Sequence, residues 1–127
     1  MEPGIKHTEK ITVTEKDTAK VYGSGTLEVL ATPAMAALME KTAMNSVTPF
    51  LEASQATVGT KLEIEHLSAS PIGIEIQCES ELVEIDRKRL VFEVTAYDEA
   101  GLIGKGKHER FIIDTARFME KAQSKMK

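Results

Sequence analysis

Glu40, His66 and Thr32 are the polar residues whose positions suit chemistry better than solvation. On a helix, Glu40 would have Pro33, Ala36, Ala37, Ala43, Met44 and Val47 three, four and seven places away, and none of these can pair with a carboxylate. A carboxylate buried among them is suited to give or take a proton near neutral pH; the other reading is a solvated side chain on a helix flank. His66 takes the core-facing place after Val58, Leu62 and Ile64, while Lys61, Glu63 and Glu65 alternate on the opposite face. An inward imidazole is either a general base or a core histidine satisfied by a backbone carbonyl. Thr32 precedes Pro33 and so reads as the N-cap of a helix. A helix start also presents unpaired N–H groups and the positive end of the dipole, which suit a carbonyl oxygen or a developing oxyanion.

Other candidates carry less. The face Leu102, Gly104, Gly106, His108, Arg110, Ile112 reads as a strand whose glycines admit a neighbouring backbone, because it lacks the spacing of a phosphate-binding glycine loop. Two basic groups, Arg87, Lys88 and Arg89 at a turn and Lys105, Lys107 and Arg110 on that strand, could meet the phosphates of a nucleotide-bearing substrate or be solvated faces. His7, His66 and His108 are far apart and no His or Cys pair has ligand spacing, so no metal is expected. Cys78 lies among Ile74, Ile76 and Leu82 and reads as a small core hydrophobe.

The elements that must position these groups follow from periodicity. Residues 7–15 alternate as a half-buried strand, and Tyr22-Gly23-Ser24-Gly25-Thr26 reads as a loop able to act as a flap. From Pro33 the pattern is helical, with Met35, Leu38, Met39, Thr42, Ala43 and Ser46 on one face and a stop before Pro49. Its alanines predict a central helix buried on more than one side. Four strand-like segments follow, read as successive hairpins. Val58, Thr60, Leu62, Ile64 and His66 share a face of the first; Ile72, Ile74, Ile76, Cys78 and Leu82 share a face of the second, where a slip to Val83 and Ile85 predicts a bulge. Leu90, Phe92, Val94 and Ala96 form the third, and residues 102–113 the fourth, before a short basic helix or tail from Thr115.

The 127 residues are 42% hydrophobic and 28% charged, with a net charge of −4, one Cys, no Trp, four Phe and two Tyr. Residues 1–127 are therefore expected to be a single domain. The acidic balance and scarce aromatics argue against nucleic acid, and no apolar run is long enough to span a membrane. The start MEPGIKHTEK has no signal-peptide core and the single Cys suits a reducing compartment, so a cytoplasmic location is expected. One long helix against an antiparallel sheet of about five strands is the α+β layout called the hotdog fold. A helix covering one face of the sheet leaves apolar surface for a second copy, so a homodimer, or a dimer of dimers, is expected.

Three passages, LATPAMAALMEKTA, VGTKLEIEHLSASPIG and GKGKHERFII, resemble the fluoroacetyl-CoA thioesterase-like family of hotdog proteins, in family order over nearly the whole chain. The resemblance implies a catalytic set of Thr32, Glu40 and His66, with Gly59 contributing a backbone N–H. The family's aromatic lid has no counterpart in TLEVLAT. The expected activity is hydrolysis of a short-chain acyl-CoA, with coenzyme A as part of the substrate and no cofactor. Glu40 would attack or activate water, His66 would relay protons, and Thr32 would position the carbonyl or assist Glu40. A basic cluster, with Arg110 as the substrate contact, would hold the coenzyme phosphates. A non-catalytic acyl-CoA binding module is the alternative; a hotdog hydratase fits less well, since the helix start lacks the His and Asp it would use.

Overall fold

The computed structural model describes residues 1–126. β1 (Lys6–Thr12) stops short of Glu15, because Thr14 and Asp17 close a capping box around a 3-10 turn at Glu15–Asp17. Buried Thr18 then caps one helical turn, α1 (Ala19–Tyr22), by accepting the Val21 N–H, and Gly23 ends it with φ 75°. The loop expected from Tyr22 begins there.

α2 (Thr32–Val47) buries Met35, Leu38, Met39, Thr42, Ala43 and Ser46, the face its periodicity predicts, and it gives way to a 3-10 turn before Leu51. Two expectations about it need correction. The N-cap is Ala31, which has no capping side chain, so Thr32 is the first helical residue and its hydroxyl is not spent on the cap. Within one chain the helix buries a single broad face, leaving Ala37, Lys41 and Met44 exposed.

β2 (Gln55–His66), β3 (Glu75–Asp86), β4 (Arg89–Asp98) and β5 (Gly101–Asp114) form with β1 one antiparallel sheet in the order β1-β3-β4-β5-β2. The two-residue turns Arg87-Lys88 and Glu99-Ala100 join true hairpins. The predicted β2–β3 hairpin does not form: residues 67–74 carry the chain across to the other side, so β2 pairs with β5 and forms an edge. The bulge predicted in β3 lies between Leu82 and Glu84. A second bulge, at Thr60, overturns the single-face reading of β2. Thr57 and Gly59 turn inward before it and Leu62, Ile64 and His66 after it, because one extra residue inverts the alternation. Likewise Ile103, not Leu102, is fully buried, since the β4–β5 register shifts beyond Ala96.

The sheet curls around α2, which touches every strand. Met35, Leu38, Met39, Ala43 and Val47 pack on Ile76, Cys78, Leu82, Phe92, Val94 and Ile103 to make the core. The sheet comes closest to the helix at Gly104, where a Cβ would stand 2.5 Å from the Met35 sulfur, and β5 comes closest to β2 at Gly106, where a Cβ would meet the Glu63 carbonyl. The outer face carries cross-strand rows such as Glu63, Lys107 and Glu93, around a shallow depression of about 460 Å³. α3 (Thr115–Gln123) is capped by Asp114 and buries no residue. Among the described residues no helix is long and apolar enough to cross a membrane, and no three His, Cys, Asp or Glu converge as a metal site.

Candidate active site

Thr32 and His66 meet at the start of α2. His66 ends β2, where the N–H groups of Leu67 and Ser68 both donate to the Ile103 carbonyl and fix the strand end. The Thr32 hydroxyl lies 2.7 Å from His66 Nδ1, within reach for proton transfer to a neutral imidazole. Burial holds the His66 pKa below its ordinary value, opposed in part by the Ser68 backbone. Its Nε2 is buried without a partner among the described residues. The pair borders a cavity of about 340 Å³ lined also by Ala19, Ser24, Leu30 and Ala69. A hydroxyl, a base and an uncapped helix N-terminus on one cavity are the parts of an acyl-transfer site.

Glu40 is not part of that pair. It lies eight residues along α2, a rise of about 12 Å, and faces β2 and β5 instead. Its Oε2 is 3.1 Å from the point a Gly59 Cβ would occupy, with His108 Cε1 at 3.1 Å and Arg110 Nη1 at 3.3 Å from the same point. Arg110 is 5% exposed and donates from Nε to Thr57 Oγ1 (2.8 Å), from Nη2 to the Thr57 carbonyl (2.9 Å) and from Nη1 to His108 Nε2 (3.1 Å). Burial lowers the pKa of both Arg110 and His108, while the nearby Glu40 charge acts to raise each. No hydrogen bond or ion pair within 4.0 Å joins Glu40 to any described residue.

The three predicted catalytic residues thus fall into two places, Thr32 with His66 and Glu40 with Gly59. Arg110 is not disposed to meet a phosphate, because its guanidinium is buried and spent on Thr57 and His108; of the two basic groups, Arg87, Lys88, Lys105 and Lys107 are exposed. Sequence reasoning placed His108 as packing and passed over Thr57. The usable signal was the two-residue spacing of His108 and Arg110, which puts two cationic side chain types on one inward face.

The family described as fluoroacetyl-CoA-specific thioesterase, FlK, matches residues 13–116. The chain belongs to this family. A fluoroacetyl-CoA thioesterase of Streptantibioticus cattleyicolor is 35% identical over 98 residues, 77% of this chain and 70% of the relative. A solved variant of the family's FlK in complex with acetyl-CoA superposes over 100% of both chains with a TM-score of 0.95 at 29% identity. A thioesterase superfamily member from Thermus thermophilus, 26% identical, matches with a TM-score of 0.90 over 97% of this chain and 91% of its own. A hotdog-like protein from Thermanaerovibrio acidaminovorans, at 19% identity and a TM-score of 0.90 over 98% of this chain and 93% of its own, bears on the fold alone. The expected hotdog fold is the one observed.

Proposed function

We propose that this family member hydrolyses a short-chain acyl-CoA to the free acid and coenzyme A, with Thr32, His66 and Glu40 as its catalytic residues. The observation that carries the reading is the 2.7 Å contact between Thr32 Oγ1 and His66 Nδ1 on the cavity at the head of α2. His66 Nδ1 takes the hydroxyl proton as Thr32 Oγ attacks the thioester carbonyl, and the open N–H groups of α2 receive the oxyanion. Collapse breaks the C–S bond, and the coenzyme thiolate leaves with the proton from His66. Water then cleaves the acyl-threonine ester, its proton passing to a carboxylate or imidazole base, which returns the hydroxyl to Thr32. Glu40, unpaired and half-buried, is suited to activating that water. The exposed Arg87, Lys88, Lys105 and Lys107 are candidates for the coenzyme phosphates. Residues 24–30 beside the cavity contain no aromatic side chain, and a small cavity of about 340 Å³ favours a short acyl group.

The separation of Glu40 from the Thr32–His66 pair supports a homodimer with shared sites. β2 leaves one edge of the sheet unpaired over twelve residues, the kind of edge a second copy covers. In a twofold dimer, Thr32 and His66 of one protomer would work with Glu40 of the partner subunit, twice over.

The test is release of coenzyme thiol from acetyl, haloacetyl, branched, long-chain and aryl thioesters by the parent, Thr32→Ala, His66→Ala and Glu40→Ala. Turnover of a short-chain class that all three variants lose supports the reading; no turnover, or variants equal to the parent, overturns it in favour of a binding module. Mixing Thr32→Ala with Glu40→Ala tests the sharing: random exchange should restore about a quarter of parental activity, since half the dimers would hold one intact site of two. A mixture as inactive as its components would place each site within one chain.

A further inference from the structure

We infer that His108 is a positioning residue that keeps Arg110 and Glu40 from closing into an ion pair, an inference that rests on Glu40 being the catalytic carboxylate proposed above. A guanidinium only donates, so His108 Nε2 must accept from Arg110 Nη1 at 3.1 Å. The ring proton is thereby placed on Nδ1, where the Lys61 carbonyl accepts it at 2.8 Å beside the Thr60 bulge. Both ring nitrogens are engaged, the ring is 1% exposed, and Phe92 lies beside it with centroids 6.3 Å apart. The imidazole has one orientation and one tautomer available.

Arg110 is pinned from the other side. Thr57 takes Nε and Nη2, leaving Nη1 at the notch left by Gly59, 3.3 Å from the point that Glu40 Oε2 approaches to 3.1 Å. A buried cation and a carboxylate this close would ordinarily join, because the interior amplifies their attraction. They do not, since His108 Nε2 holds Nη1 while its Cε1 occupies one wall of the notch. The groups facing this spot are Glu40 from α2, Thr57 and Gly59 from β2, and His108 and Arg110 from β5, with the Phe92 ring of β4 beside His108. Without the ring, nothing separates guanidinium from carboxylate, and a Glu40 locked against Arg110 can no longer serve a water molecule.

Two replacements dissect the ring. In His108→Asn the amide nitrogen stands in for Nδ1 and keeps the Lys61 contact but not that to Arg110; in His108→Gln the side-chain oxygen stands in for Nε2 and accepts from Nη1. Steady-state kinetics with the acyl-CoA that the parent turns over should show His108→Asn losing about tenfold or more in kcat with KM held within about twofold, and His108→Gln near the parent. In a Glu40→Gln background His108→Asn should cost nothing further, since the carboxylate it protects is gone. Equal loss in both variants, loss in neither, or the full loss persisting beside Glu40→Gln would overturn the inference. If Glu40→Gln alone is as active as the parent, the reading of Glu40 fails first and takes this inference with it. A nitrogen-15 NMR spectrum of the parent's imidazoles needs no variant to fold: it should show His108 protonated at Nδ1 alone at neutral pH, and protonation at Nε2 would refute the arrangement.

Discussion

Replacing Gly59 by Ala puts one methyl group at the point where Glu40, His108 and Arg110 converge. The distances there are 3.1 Å to Glu40 Oε2, 3.1 Å to His108 Cε1 and 3.3 Å to Arg110 Nη1, each a few tenths of an ångström inside comfortable contact. His108 and Arg110 are buried and bonded, so they cannot yield; Glu40, half-buried and unbonded, is the group that moves. Stability falls, but the fold survives. Overpacking costs about 1–3 kcal/mol, and removing a glycine from a strand returns about 0.5–1 kcal/mol, for a net loss of about 0–2.5 kcal/mol. Catalysis responds too: misplacement by about 1 Å costs on the order of a hundredfold, so a displacement of a few tenths should cost about fourfold. The assay is thiol release at saturating substrate, with the melting temperature measured on the same samples. Turnover equal to the parent's would refute the placement of Glu40 at this notch. A collapse in melting temperature matching the loss of activity would show instead that Gly59 is needed by the fold.

Three further outcomes follow from the geometry. Ser80 is fully buried with no partner for its hydroxyl among the described residues, so Ser80→Ala should stabilise by about 1 kcal/mol and raise the melting temperature by a few degrees in calorimetry; an unchanged or lower value would mean the hydroxyl is satisfied. Gly104→Ala drives a Cβ to 2.5 Å from the Met35 sulfur and 2.7 Å from its methyl, which should destabilise by about 2 kcal/mol, while adding Met35→Ala should cost less than the sum of the two changes in a denaturant titration. Burial lowers the His66 pKa below its ordinary value of 6.5, and the neutral ring is the competent base, so kcat/KM should fall with acidification only below that value. An acid limb centred above it, unchanged in His66→Gln, would assign the titration elsewhere.

The central helix was legible because Pro33, the spacing of Met35, Leu38, Met39 and Thr42, and Pro49 all point to the same boundaries. What could not be read was where one strand lies against another. The bulge at Thr60 leaves no mark in the apolar pattern, since Thr57 and Val58 suit an inward place equally well, yet it decides that Gly59 faces Glu40. The isolation of Glu40 on its helix was correctly read from its neighbours, but His108 and Arg110 come from a strand about seventy residues on, beyond any local pattern. Thr32 was misread for a different reason: threonine is a common cap, and only the extended backbone of Ala31 shows the cap one residue earlier.

The order β1-β3-β4-β5-β2 also sets a folding sequence. β3, β4 and β5 are joined by tight turns and can zip together locally, whereas β2 must await β5, its Gln55 pairing with Asp114. β2 and β1, whose partners both lie far along the chain, are therefore expected to join after that meander and to detach before it. Amide hydrogen exchange should be faster in both than in β4. Activity would then fade on warming before the core melts, because Gly59 and His66 lie on β2, making catalysis an early reporter of the β2–β5 seam; protection in β2 equal to that in β4 would refute this order.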